Sequence, residues 1–172
     1  MKILSKQRNS RMCMICGLDN EYGVNAPFYN MEDGSVMTVF RYKEQHQSYP
    51  GRVHGGMITA MLDEMGLRSL WAKELSEETF GVTISLDTKY RKPVPYETEL
   101  IGRGVVVKNT SHFIITDSYI MDKEGEILAN GRIKYIKMDT QKIQEGVEVH
   151  EEMPYLVEDG RTEIEGPFFD NL

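Results

Sequence analysis

Between Gly56 and Leu75 the chain passes through Ile58, Met61, Leu62, Met65, Leu70 and Trp71, with few polar positions between them. The spacing is helical and almost no polar face is left. A helix of that kind is buried on most sides, so the rest of the chain has to wrap around it. The material available is a set of strands. Val82, Ile84, Leu86, Thr88 and Tyr90 alternate along one face of the first. Pro93 and Pro95 interrupt the pattern, and a second strand runs from about Glu97 to Lys108. It turns through Asn109-Thr110 into His112 to Asp122, and again through Asp122-Lys123-Glu124-Gly125 into Ile127 to Lys137. The last three segments predict an antiparallel meander. Upstream, Val36, Thr38, Phe40 and Tyr42 mark another strand, with Phe28 to Asn30 as a short partner across the turn Glu32-Asp33-Gly34. One long buried helix and a run of strands is an α+β architecture, with the sheet curled around the helix.

The 172 residues suit one domain with one core. Residues 1–26 read as an irregular N-terminal segment, 27–138 as the folded domain and 139–172 as an acidic tail punctuated by Pro154 and Pro167. No apolar run approaches the ~20 residues that span a bilayer, and Met1 to Arg8 lacks the apolar stretch of a secretory signal. No membrane partner is expected. The formal net charge of −7 raises the cost of approaching phosphate and argues against nucleic acid as a partner. An anionic ligand therefore needs a local basic patch. Cys13 and Cys16 are too few for a disulfide framework, and a cytoplasmic setting follows. Their spacing is that of a zinc-ligand pair, but a structural zinc site wants four ligands. With no second cysteine pair and no nearby histidine pair, neither a metal nor a redox cofactor is expected.

Successive helical residues are separated by about 100°, which puts Thr59, Asp63, Gly66 and Leu70 on one stripe of the helix. A buried, unpaired carboxylate is costly or shifts its pKa upward. Asp63 is therefore either a structural acid, satisfied by Thr59 or by a basic residue across an interface, or a chemical group. Just before the helix, Arg52-Val53-His54-Gly55-Gly56 brings two glycines to the helix start. The first N–H groups of a helix lack internal acceptors and carry the positive end of its dipole. Without Cβ atoms, Gly55 and Gly56 either serve a tight turn or admit a ligand to that backbone. Such a place suits a carbonyl oxygen gaining negative charge during acyl transfer. Gly55 and Asp63 are eight residues apart, or about 12 Å along a helix. A base that activates water must lie within about one water of the polarised carbonyl. If the site is catalytic, it lies at a subunit interface, with Gly55 of one chain facing Asp63 of another. Glu64 points about 100° away from Asp63 and can pair with Arg68 at i+4 as a surface or interface salt bridge.

Three segments carry a resemblance to PaaI-type (4-hydroxybenzoyl-CoA-like) hotdog thioesterases: His46-Gln47-Ser48-Tyr49-Pro50-Gly51-Arg52-Val53-His54-Gly55-Gly56, Met61-Leu62-Asp63-Glu64, and Tyr90-Arg91-Lys92-Pro93-Val94-Pro95. The acid stands seven positions after the second glycine, as in that family, and Cys13-Met14-Ile15-Cys16-Gly17 resembles a subset of it. The likeness covers about residues 13–137. It implies a hotdog fold, an acyl-CoA substrate with coenzyme A as part of that substrate, and assembly as a homodimer or a dimer of dimers. It further implies that the Gly55 N–H polarises the thioester carbonyl, that Asp63 is general base or nucleophile, and that His54 organises the loop. Thr83 falls where relatives often carry a hydroxyl that positions water or the carboxylate, and Ser48 stands where some carry an amide. Gly56 and Thr59 would line the bound substrate. Lys89, Arg91 and Lys92 form a basic cluster, which either contacts coenzyme A phosphates through charge-assisted hydrogen bonds or is a solvated strand end.

The functional expectation is thus an acyl-CoA thioesterase. One rival is a non-catalytic acyl-CoA-binding sensor, against which stands the lack of a helix-turn-helix output segment. Another is an acyl-CoA hydratase or dehydratase, which wants a histidine in the helix region, where none occurs between Gly55 and Ser111. His46, His112 and His150 read as solvated.

Overall fold

The apolar segment forms one helix, α1 (Gly55–Glu74), and seven strands make a single sheet against it. The computed structural model describes residues 1–74, 79–138 and 152–166. In chain order the strands are β1 (Ile3–Lys6), β2 (Tyr29–Met31) and β3 (Val36–Phe40) before the helix. After it come β4 (Phe80–Tyr90), β5 (Leu100–Asn109), β6 (Phe113–Met121) and β7 (Ile127–Met138). Their order across the sheet is β1-β2-β3-β5-β6-β7-β4, with every pairing antiparallel. The meander β5-β6-β7 is the one expected. The first strand after the helix, however, pairs with the last, so β4 becomes an edge. This is the hotdog arrangement, a curved antiparallel sheet around one central helix.

Helix and sheet meet through side chains removed entirely from water. Met61, Leu62 and Met65 of α1 are fully buried, as are Val36, Leu100, Ile120 and Ala129 of four strands that enclose them. Burying a side chain of this size is worth about 1.5–3 kcal/mol against the exposed chain, an upper figure because the unfolded state is itself partly collapsed. A second cluster, with Tyr29, Met31, Met37 and Ile101, forms near β1 and β2.

Four local expectations are corrected. The N-terminal segment is not wholly irregular: it carries β1, and Ile15 and Cys16 enter the main core. Arg68 is not on the surface but 1% exposed. Its guanidinium bonds Glu64 at 2.7 Å, the Gln7 side chain and the Arg8 carbonyl at 3.1 Å each, and lies 4.3 Å from the centre of the Phe28 ring. His46 is buried rather than solvated, because its Nδ1 accepts the Lys43 N–H at 3.0 Å and its Nε2 meets the Tyr22 carbonyl at 2.7 Å. The fourth correction concerns β4, where strict alternation fails. Thr83 faces Tyr135 of β7 and Ser85 faces Lys134, so Ile84 is an extra residue in a bulge.

Part of the tail is ordered structure. Residues 152–166 run along β1, with Ile3 N–H donating to the Thr162 carbonyl and Ile164 N–H to that of Met1, both at 2.9 Å. Residues 75–78 (with Leu75), 139–151 (with His150) and 167–172 lie outside the described residues. Among those described, no helix is long and apolar enough to cross a membrane.

Candidate active site

The helix start is built by His54. Its carbonyl accepts the Ile58 N–H at 3.2 Å, the first i→i−4 bond, and its Nδ1 accepts the Gly56 N–H at 2.9 Å. The imidazole thus serves as the N-cap side chain. The main-chain N–H of His54 donates to the His46 carbonyl at 2.8 Å, which ties the loop down. His54 therefore joins the loop to the helix start. With Gly56 committed, the remaining helix N–H here is that of Gly55, which has no acceptor among the described residues. Glycine at 55 is not required by the fold. Its backbone does not take a positive φ, and an added Cβ would meet only the Tyr90 ring and hydroxyl, at 3.4 Å or more. What the missing Cβ does leave is an approach to the N–H from outside.

Asp63 is half-buried two turns further along α1. Both of its carboxylate oxygens accept from the Thr83 hydroxyl, at 2.8 and 3.1 Å. Burial pushes the carboxyl upward, the Thr83 and Tyr135 hydroxyls pull it back, and Glu64 adds a smaller upward push; the balance lies above the ordinary aspartate range. The bulge at Ile84 makes the Thr83 contact possible. Thr83 faces the helix before it, and Leu86, Thr88 and Tyr90 face the helix after it. Thr59 is not the partner of Asp63; it meets the Tyr90 hydroxyl at 2.7 Å and that of Thr88 at 3.4 Å.

Two tyrosines complete the arrangement, and neither was singled out from sequence. Tyr135 donates to the main-chain carbonyl of Asp63 at 2.6 Å. It reaches that carbonyl only because residue 66 is glycine: a Cβ there would stand 2.1 Å from the Tyr135 oxygen. Tyr90 donates to the Gly55 carbonyl at 3.2 Å while holding Thr59. A signal for Tyr135 was present in β7, where alternation puts it on the inward face with Ala129 and Ile133, and a buried phenol needs a partner.

A cleft of about 390 Å³ opens at the helix start, lined among others by Arg52, Gly55, Ile58, Tyr90, Arg91 and Lys92. Asp63 does not line it. The basic cluster divides between two places. Arg91 and Lys92 reach the cleft, Arg91 bonding Asn130 at 2.7 Å and Lys92 pairing with Glu126. Lys89 instead faces the outer side of the sheet with Asp87 and Asp117. Ser48 is exposed in the preceding turn, where its N–H donates to the Arg52 carbonyl at 2.9 Å. Glu64 points toward Arg68 and the Cys13 side, away from Thr83.

Comparison with known proteins agrees with this architecture. Residues 50–129 match the family model of the thioesterase superfamily. The acyl-coenzyme A thioesterase THEM4 of Rattus norvegicus is 24% identical over 140 residues, 81% of this chain. The chain spans 57% of the length of that relative. A crystal structure of a thioesterase superfamily protein superposes with a TM-score of 0.65 at 25% identity, covering 73% of this chain and 63% of that one. A hypothetical thioesterase from Streptococcus pneumoniae, solved with coenzyme A, gives 0.59 at 20% identity, covering 67% and 90%. Family match and fold agree: the chain has a hotdog fold, and its residues 50–129 resemble the thioesterase superfamily.

Proposed function

We propose that the protein hydrolyses acyl-CoA thioesters at a site shared by two copies of the chain. The observation that carries this reading is the split of the chemical groups within one chain. An unclaimed N–H at Gly55 borders the cleft, while the only carboxylate of the pair, Asp63, sits outside it and about 12 Å along the helix. An antiparallel second copy, joined along the bare edge of β4, would bring Asp63 of that copy to the cleft. The thioester carbonyl then accepts from the Gly55 N–H, whose position at the positive helix end stabilises the developing oxyanion. Asp63 takes a proton from water, the water oxygen forms the new C–O bond, and coenzyme A leaves as the thiolate. An aspartate held above its ordinary range is a stronger base at neutral pH than a free one. Thr83 fixes the carboxylate and Tyr135 fixes the backbone that bears it, while Arg52, Arg91 and Lys92 offer cations to the phosphates of the coenzyme. Lys89 could serve only from the outer face, and Ser48 only by contributing from the turn to the assembled site. No metal or redox cofactor enters the hydrolysis, because donor, base and nucleophile are an N–H, a carboxylate and water. The assembly is a homodimer or a dimer of dimers, in the cytoplasm, where cysteines such as Cys13 and Cys16 stay out of disulfides.

The test is thiol release from a panel of acyl-CoAs, with Asp63→Asn and Gly55→Val assayed alone and mixed. Asp63→Asn alone should lose about 10²–10⁴-fold in kcat/KM, the usual worth of a positioned acid–base group, and Gly55→Val, which blocks approach to the oxyanion donor, about 10²–10³-fold. Mixed and re-equilibrated, they should recover about a quarter of wild-type activity, since half of the two-fold dimers become hybrids with one intact site. Absence of recovery despite demonstrated subunit exchange refutes the shared site. Tight acyl-CoA binding with no turnover by the wild type refutes the hydrolase.

A further inference from the structure

Cys13 and Cys16 take no part in the proposed hydrolysis, and sequence alone offers them no further ligand. The fold supplies one. Glu64 of α1 comes to the N-terminal turn, so that both sulfur atoms and a Glu64 carboxylate oxygen lie within 4.8 Å of one another. The turn itself is shaped to hold sulfur. Ile15 N–H donates to Cys13 Sγ at 3.3 Å, and Gly17 N–H closes onto the Cys13 carbonyl at 2.9 Å. A Cβ at residue 17 would stand 2.4 Å from that carbonyl oxygen, so the turn closes only on glycine. Ser10 braces both cysteines, its hydroxyl lying 3.2 Å from Cys16 Sγ and accepting the Cys13 N–H at 3.2 Å. On the far side, Arg68 holds Oε1 of Glu64 at 2.7 Å, which leaves Oε2 facing Cys13 Sγ at 4.0 Å.

We propose that Cys13, Cys16 and Glu64 bind a zinc-class divalent cation, with solvent as the fourth tetrahedral ligand. Two thiolates and a carboxylate are a borderline-soft donor set suited to zinc. Metal–sulfur bonds of about 2.3 Å put tetrahedral ligands about 3.8 Å apart, a small contraction from the spacing present. Charge closes as well: the two thiolates and the carboxylate are cancelled by the dication together with the buried Arg68 guanidinium. Arg68 then acts as the outer-shell group that orients the carboxylate. Each thiol that binds gives its proton to solvent, and nothing is oxidised or reduced. Cys16 is 2% exposed and Cys13 only half-buried, so the fourth position opens on the Cys13 side. The ion would pin the N-terminal segment to α1 one residue beyond Asp63, independently of the hydrolytic reading.

Cobalt(II) titration of the full, untagged, reduced chain tests this. The expected result is one cobalt per chain with intense thiolate-to-cobalt absorption and tetrahedral d–d bands, bleached by an equivalent of zinc. Cys13→Ala, at a half-buried position, should keep the near-ultraviolet circular dichroism of the wild type. It should weaken binding by more than the about 10–100-fold that loss of an outer-shell partner costs. Glu64→Gln should shift the d–d bands while thiolate absorption persists. The proposal fails if both thiols titrate as free and cobalt gives no thiolate absorption. It fails equally if Cys13→Ala binds cobalt as the wild type does, or if the reduced pair closes to a disulfide, two daltons lighter, in preference to taking the metal.

Discussion

Along β1, at one edge of the sheet, residues 152–166 run back over the N-terminus and occupy the backbone groups a further strand would take. Lys2 pairs with Glu163, Asn9 with Tyr155, and Ile164 is 2% exposed beneath them. Along β4, at the opposite edge, no strand covers the outer side among the described residues, and Val82, Ile84 and Tyr90 are 41%, 53% and 55% exposed. An edge of unpaired N–H and C=O groups is a template for another chain, and natural proteins close such edges unless they use them. Among the described residues no hydrogen bond joins β1 to Asp63 or Gly55, whereas the open edge carries Thr83, which bonds Asp63, and Tyr90, which bonds Gly55. Covering is thus spent on the β1 edge, and under the proposed shared site the uncovered edge beside Asp63 and Gly55 is the one a second copy would join.

The largest effect should come from charging the open edge. Ile84→Lys places a lysine near its symmetry mate wherever two β4 strands meet about a two-fold axis. The expected outcome is a monomer by sedimentation, with thiol release down at least about 100-fold through loss of the partner's base. Leu4→Lys is the control on β1, where Leu4 is 51% exposed; association and turnover should both stay as in the wild type. A monomeric Ile84→Lys protein with full turnover would break the contrast between the edges, and the shared site with it.

A change under the closed edge should act on stability alone. Ile164 packs with Met31, Met37 and Ile101 in the cluster beneath the tail. Ile164→Ala should cost about 2–5 kcal/mol, the range for removing a buried aliphatic side chain, seen as a lower urea midpoint at unchanged slope. Turnover per folded molecule and sedimentation should not move. A shift of the protein to monomers on this substitution would mean that both edges serve assembly.

Helix and meander were legible because each rests on a period that local residues set for themselves. The helix α1 starts within one residue of its expected start, and β5-β6-β7 follow their turns. What escaped depends on chain segments distant in sequence. Periodicity grouped Val82 and Ile84 with Leu86, but one extra residue at Ile84 reverses the sides, so Thr83 was reached by family resemblance and not by alternation. Tyr135 matters because β4 and β7 are neighbours, and no local pattern states which strands adjoin. Arg68 reads as a surface charge on its own helix; it is buried because Gln7 and Arg8 come from the other end of the chain to satisfy it. His54, Gly55 and Asp63 were legible for the opposite reason: their spacing lies within one helix and its cap.

The smallest effect sharpens the comparison from the closed side, through Asp159. Burial pushes its carboxyl up, but Lys6 at 2.7 Å, the Tyr29 hydroxyl and the Arg161 N–H outweigh that and hold it at about 2. A carboxyl depressed below its unfolded value of about 3.9 adds stability that is complete above that value and is lost as pH falls toward the folded one. Asp159 is partly exposed, so solvent screening keeps the contribution to about 1 kcal/mol or less. Asp159→Asn should therefore be slightly less stable than the wild type at pH 6, and the two should converge as pH falls from about 4 to about 2. Urea unfolding across that range measures it. A gap that persists unchanged at low pH would assign the effect to packing of the tail, and the ionic clasp of the closed edge would then contribute nothing to holding it shut.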